Sequence, residues 1–196
     1  MPSVVLVDSG GTNIGSLRYA LQRLNVEARL SDDAATIRAA THVILPGVGA
    51  AAPGMSRLRE AGLVDVVRGL TQPVLGVCLG MQLLFEHSEE SDTACLGLIP
   101  GSLRRFGGAA LRVPHMGWNA VQPRRSHTLL SGIDAGAFAY FVHSYAAPLG
   151  DYTLASAHYG GEFSAVVQWR NFHGAQFHPE RSAAVGARLL QNFVEL

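Results

Sequence analysis

Cysteine is scarce, with only Cys78 and Cys95 in 196 residues, so a disulfide framework is excluded and a reducing cytoplasm is the expected location. Each cysteine then needs an account as packing or as chemistry. An excess of charge is missing too. Lysine plus arginine and aspartate plus glutamate number 15 each, so no net field draws the chain to nucleic acid or an anionic membrane. The apolar runs, such as Val4 to Val7 and Pro73 to Leu79, fall far short of the roughly 20 residues of a membrane span. No basic n-region precedes a signal-peptide core, which argues against export.

Metal and nucleotide signatures are absent as well. His42, His87, His115, His127, His143, His158 and His173 are scattered singly, without the ligand spacing of a zinc centre. Most read as surface or satisfied core residues. Gly10-Gly11-Thr12-Asn13 lacks both the Gly-x-Gly-x-x-Gly pattern and a Walker lysine. No metal or cofactor is therefore expected. What the chain has in quantity is apolar side chains: 48% hydrophobic against 15% charged is richer than an average soluble domain. Part of the surface is expected to be covered by another subunit, and the length suits one domain over residues 1–196.

The periodicity predicts alternating strands and helices. Strands are expected at Ser3 to Val7, Val26 to Leu30, His42 to Leu45 and Pro73 to Val77. Helices are expected at Ile14 to Leu24, Ala34 to Ala40, Arg57 to Leu70 and Leu79 to Glu86. This alternation implies a parallel sheet. Beyond Asp92 short β-rich runs take over at Leu111 to Val113, Asn119 to Gln122, Phe138 to His143, Thr153 to Ala157 and Ala165 to Trp169, suggesting antiparallel strands. A last strand at Ala175 to Phe177 and a helix at Ala183 to Val194 complete a mixed-sheet α/β sandwich.

Gly76-Val77-Cys78-Leu79-Gly80 carries the central chemical signal. A nucleophile flanked by glycine two residues away on each side has the spacing of a strand-to-helix elbow, where larger side chains would collide. Cys78 would then sit at a helix start, where free amides favour thiolate. The competing account is a packed strand cysteine. Phe177-His178-Pro179-Glu180 supplies a base and its orienting carboxylate, as thiol attack on an amide requires. On its own such a pair is a strand-end histidine and a loop acid; with an elbow cysteine it completes a triad. Leu45-Pro46-Gly47-Val48-Gly49 follows a strand and could bring backbone amides to a reacting carbonyl, or be an ordinary turn. Cys95 lacks flanking glycines and reads as structural.

These motifs resemble the class I, triad-type glutamine amidotransferases over nearly the whole chain. Pro114-His115-Met116-Gly117-Trp118-Asn119 and Tyr140-Phe141-Val142-His143-Ser144-Tyr145 narrow the likeness to the glutaminase subunits of imidazole glycerol phosphate synthase. The resemblance implies a class I amidotransferase fold in which Cys78 attacks glutamine, His178 protonates the leaving ammonia and Glu180 orients His178. It implies oxyanion stabilisation by amides of Gly47, Val48, Gly49 and Leu79, and substrate contacts from Gln82, Glu90, Ser144 and Tyr145. It also implies a (β/α)₈-barrel cyclase partner receiving ammonia, with Asn13, Trp118, Tyr140 and Arg181 at that interface. Two positions depart from the pattern: the Asp8 to Asn13 loop, and Arg181 where lysine is usual. The alternatives are the glutaminase partner of vitamin B6 (pyridoxal 5'-phosphate) synthase and a non-catalytic module of the same fold.

Overall fold

The computed structural model describes residues 2–8, 14–108 and 111–196. The first half alternates: β1 (Val4–Val7), α1 (Ile14–Arg23), β2 (Ala28–Ser31), α2 (Ala34–Ala39) and β3 (His42–Leu45). Then come α3 (Ala51–Glu60), α4 (Val64–Arg68), β4 (Val74–Val77) and α5 (Leu79–Leu83). The second half holds β5 (Phe85–Ser88), β6 (Thr93–Ala94), β7 (Ile99–Arg105), β8 (His115–Pro123), β9 (Ala137–His143) and β10 (Tyr145–Ala146). It ends with β11 (Thr153–His158), β12 (Glu162–Trp169), β13 (Phe172–Ala175) and α6 (Ala183–Val194).

Among the described residues, nine strands form one sheet in the order β2-β1-β3-β4-β13-β12-β11-β8-β9. The run from β2 to β13 is parallel and the run from β13 to β9 is antiparallel, so the expected mixed sheet is present. Every residue of β1, β3 and β4 is buried, as strands covered on both faces require. Val4 and Leu6 enter one core with Leu189 and Phe193 of α6, whereas Val5 and Val7 enter the other with Ile37, Leu58 and Met81. Strand periodicity thus divides one apolar run between two cores.

Four sequence-derived boundaries need correction. The helix expected at Arg57 to Leu70 is two helices: α3 begins earlier, and Gly62 in the left-handed region (φ 67°) ends it. There Leu63 N–H bonds the Leu58 carbonyl and Gly62 N–H the Arg59 carbonyl, a paired closure that forces a turn before α4. The helix expected through Glu86 stops at Leu83, because Phe85 to Ser88 pair with β7 in a second, four-stranded sheet ordered β10-β7-β5-β6. Leu111 to Val113 is not a strand; pairing with β9 starts at His115, past Pro114, which has no backbone N–H to give a ladder. The last strand lies at Phe172–Ala175, so Gln176 and Phe177 lie beyond its end.

Candidate active site

Three neighbouring parallel strands, β3, β4 and β13, deliver the loops that make the site. Cys78 follows β4 and has φ 53° and ψ −110°, a backbone conformation that L side chains rarely adopt. Two close approaches hold it there. A Cβ on Gly76 would lie 2.6 Å from Met81 Cα, and one on Gly80 would lie 1.8 Å from the Leu45 carbonyl oxygen. Cys78 N–H donates to the Ala175 carbonyl (2.8 Å) and Gln82 N–H to the Cys78 carbonyl (3.2 Å), tying the elbow to β13 and to α5. The cysteine is 7% exposed, with its Sγ 3.9 Å from the Val142 carbonyl oxygen.

His178 stands just past β13, where its N–H donates to the Tyr140 carbonyl of β9 at 2.9 Å. Ser182 Oγ donates to the His178 carbonyl at 2.6 Å and accepts Tyr140 N–H at 2.9 Å, so both backbone sides of the loop are fixed. His178 Nδ1 bonds Glu180 Oε1 at 2.8 Å, which leaves Nε2 for the cavity that His178 and Cys78 both line. Burial pulls the imidazolium toward neutrality. The hydrogen bonds to Cys78 and Glu180, with the charges of those groups, outweigh it and hold the His178 pKa up at about 10. The Pro179–Arg181 turn packs so tightly on α6 that a Cβ on Gly186 would sit 1.8 Å from the Pro179 carbonyl oxygen.

The loop after β3 meets the elbow directly. Leu79 N–H donates to the Gly47 carbonyl at 3.3 Å, and Gly49 takes φ 96° with open space where a Cβ would be. A cavity of about 310 Å³ opens at this junction, lined by Val48, Gly49, Cys78, Leu79, Gln82, Glu90, Ser144, Tyr145 and His178, and also by Pro114 and His143. Glu90 Oε2 accepts Ala51 N–H at 2.7 Å, so this carboxylate caps the first turn of α3 while facing the cavity. Gln82 uses its amide N–H groups on the Tyr145 carbonyl (2.8 Å) and on Gln176 Oε1 (3.0 Å). A larger hollow of about 880 Å³ along β2 is lined by neither cysteine nor histidine. A sulfur nucleophile, an imidazole and an orienting carboxylate at a small cavity suit acyl transfer from an amide.

Residues 5–196 match the family model for glutamine amidotransferase class-I. The chain belongs to this family. It is 58% identical to imidazole glycerol phosphate synthase subunit HisH of Xanthomonas axonopodis pv. citri, over 100% of this chain and 98% of that protein. It is 56% identical, with the same coverage, to the subunit HisH of Xylella fastidiosa. A crystal structure of a glutamine amidotransferase superimposes with a TM-score of 0.75 at 22% identity, covering 98% of each chain, a likeness of fold.

Within this amidotransferase the three expected partner-face residues that can be described lie together. Arg181 stands over the Tyr140 ring at 5.8 Å, and Trp118 meets the same ring edge-on at 5.9 Å. Trp118 is 53% exposed, and Met116 and Phe138 beside it are exposed too. Asn13 and the Ser9 to Asn13 loop lie outside the described residues. Sequence reasoning missed Gly186, Gln176 and the His115–His143 pair. Gln176 Nε2 lies 4.0 Å from Cys78 Sγ, and His115 Nδ1 lies 3.0 Å from His143 Nε2. The available signal for the pair was one histidine in each of the two most discriminating segments.

Proposed function

We propose that residues 1–196 form one glutaminase domain in which Cys78, His178 and Glu180 hydrolyse glutamine and the ammonia passes to a partner subunit. The chain is the glutaminase subunit of imidazole glycerol phosphate synthase, serving histidine biosynthesis. The observation carrying this reading is the elbow cysteine on the wall of one small cavity with an imidazole that is itself held by Glu180 at 2.8 Å. The Cys78 thiolate attacks the side-chain amide carbon, and the oxygen takes the electron pair. His178 gives its proton to the departing nitrogen, the carbonyl re-forms, and a glutamyl thioester and ammonia result. Water then attacks the thioester while His178 accepts its proton; Cys78 leaves and glutamate is released. Gln82, Glu90, Ser144 and Tyr145 hold the amino-acid end of the substrate.

The oxyanion site is closed at rest on this reading. The Gly47 carbonyl already occupies Leu79 N–H, so that amide is not free to meet a developing oxyanion. Turning the Gly47–Val48 peptide over would withdraw that oxygen and bring Val48 N–H inward, between two glycines that permit both orientations. A (β/α)₈-barrel cyclase, making imidazole glycerol phosphate and AICAR, docks on the Trp118, Tyr140 and Arg181 face and favours the open form. Delivery inside a complex keeps ammonia from protonation in bulk water. The biosynthetic role of the HisH relatives supports a cytoplasmic reaction. Separately, among the described residues no helix is long and apolar enough to cross a membrane.

The test is a glutaminase assay on the chain alone, with the barrel cyclase, and with the cyclase and its nucleotide ligand, repeated on Cys78→Ser. Slow turnover alone, strong stimulation by the liganded partner and none in Cys78→Ser are expected. Equal rates with and without the liganded partner would remove the gating, and turnover in Cys78→Ser would remove the mechanism. The HisH relatives favour this reading over the vitamin B6 synthase alternative.

A further inference from the structure

An unbroken chain of hydrogen bonds runs from β8 to the wall of the candidate glutamine cavity. Asn119 Nδ2 meets His115 Nε2 at 3.2 Å, His115 Nδ1 meets His143 Nε2 at 3.0 Å, and His143 Nδ1 meets the Tyr145 carbonyl at 2.9 Å. The same carbonyl accepts Gln82 Nε2 at 2.8 Å. The β8–β9 register sets His115 opposite His143, both imidazoles are buried, and His143 lines the cavity.

Both ends of the chain dictate where its protons lie. Asn119 Oδ1 accepts Ala120 N–H (2.8 Å) and its Nδ2 donates to the His158 carbonyl (2.9 Å), so the amide turns its NH₂ toward His115. A backbone carbonyl only accepts, so His143 Nδ1 must carry hydrogen facing Tyr145. A neutral ring has one N–H; His143 Nε2 therefore accepts, His115 Nδ1 donates, and His115 Nε2 accepts from Asn119. The two independent ends give the same answer. Burial keeps both rings neutral, with pKa values of about 4 for His115 and about 3 for His143. An added proton on His143 would set two N–H donors face to face.

We propose that Asn119, His115 and His143 are positioning residues for glutamine, a one-directional relay that fixes the Tyr145 carbonyl and the Gln82 amide in the cavity wall. The inference rests on the glutaminase reading above. A histidine pair buried merely for packing needs only some acceptor. This pair ends on a carbonyl that already has a donor, so the Tyr145 peptide cannot rotate without breaking two bonds. The relay also starts on the strand that exposes Met116 and Trp118, which links the cavity wall to the partner face.

Asn119→Asp gives the relay a titratable end. While the introduced carboxylate holds an extra proton on His115, both His115 nitrogens donate and His143 still bonds Tyr145. When rising pH removes that proton, His115 Nε2–H turns to the carboxylate and the tautomers reverse. A bare His143 Nδ1 then faces the Tyr145 carbonyl. The titratable groups beside the pair are His178 and Tyr159, whose ring stacks on His115 at 4.2 Å, with Cys78 and Glu90 lining the same cavity as His143; Phe106, Phe141 and Phe163 pack on the two rings.

The experiment combines imidazole ¹⁵N NMR of the wild-type chain with glutaminase kinetics of the ligand-stimulated complex across pH 6 to 9. Both rings are expected as the Nδ1–H tautomer. In Asn119→Asp the KM for glutamine should rise about tenfold with pH while kcat stays within about twofold, against a flat wild-type KM. Either ring found as Nε2–H overturns the proposal. So does an Asn119→Asp KM that is unchanged or raised uniformly, as a structural role alone would give. Should that variant fail to fold, the wild-type tautomers decide alone. A wild-type complex without glutaminase activity would instead refute the functional reading and leave the tautomer result intact.

Discussion

Replacing Glu180 by glutamine isolates the electrostatic part of the triad, because the amide keeps the shape of the carboxylate and loses its charge. The His178 pKa of about 10 stands some 3.5 units above the ordinary 6.5, which corresponds to ~5 kcal/mol favouring the imidazolium. Burial acts against this, and two partners supply the gain: Cys78 and Glu180. Losing the Glu180 charge should lower the His178 pKa, and an amide NH₂ turned toward Nδ1 would also impose the wrong tautomer. The kcat of the ligand-stimulated complex should fall by roughly 10² to 10⁴. Imidazole NMR of His178 reports the effect without turnover. In the wild type the ring should stay protonated up to about pH 10, and in Glu180→Gln its titration should move to lower pH. A Glu180→Gln enzyme with wild-type kcat and an unchanged His178 titration would refute the role given to this carboxylate.

The buried histidines set a second pH dependence, on stability. Burial holds His115 and His173 at about 4 and His143 at about 3, so these rings stay neutral in the fold while the unfolded chain takes up protons below about 6.5. Stability should therefore fall as pH drops from about 6.5 to about 4, by a few kcal/mol in total, read as a lower urea midpoint at pH 5 than at pH 7.5. His178 works in the opposite sense. Its raised pKa adds stability that is complete below the unfolded value of 6.5 and disappears as pH rises through about 10. Midpoints that do not change between pH 7.5 and 5 would contradict the neutral buried rings. Gly186→Ala sets a methyl 1.8 Å from the Pro179 carbonyl oxygen, so α6 must retreat from the turn that carries Glu180. A loss of ~2 kcal/mol or more in urea unfolding and a fall in kcat should follow, and a variant with wild-type values in both assays would refute that packing.

What was legible in the sequence was what local sterics impose. Gly76 and Gly80 are required by backbone within a few residues of Cys78 or just across on β3, so their spacing alone announced the elbow. His178 and Glu180 sit two residues apart on one turn and could be read as a unit. The Phe85 segment was misread because a short apolar run fits helix and strand alike, and only pairing with Ile99, far along the chain, selects the strand. His115 and His143 looked like isolated histidines because the β8–β9 register, not their spacing, brings them together. Gly186 gave no signal within the Ala183 to Val194 helix, since the carbonyl it makes room for belongs to a turn outside the helix.

The most direct measurement quenches the ligand-stimulated complex in acid during turnover of labelled glutamine and locates the label by peptide mass spectrometry. A glutamyl thioester on the peptide containing Cys78, absent from Cys78→Ser, is the predicted result. Sustained turnover in Cys78→Ser, or label held covalently on any other residue, would contradict the account.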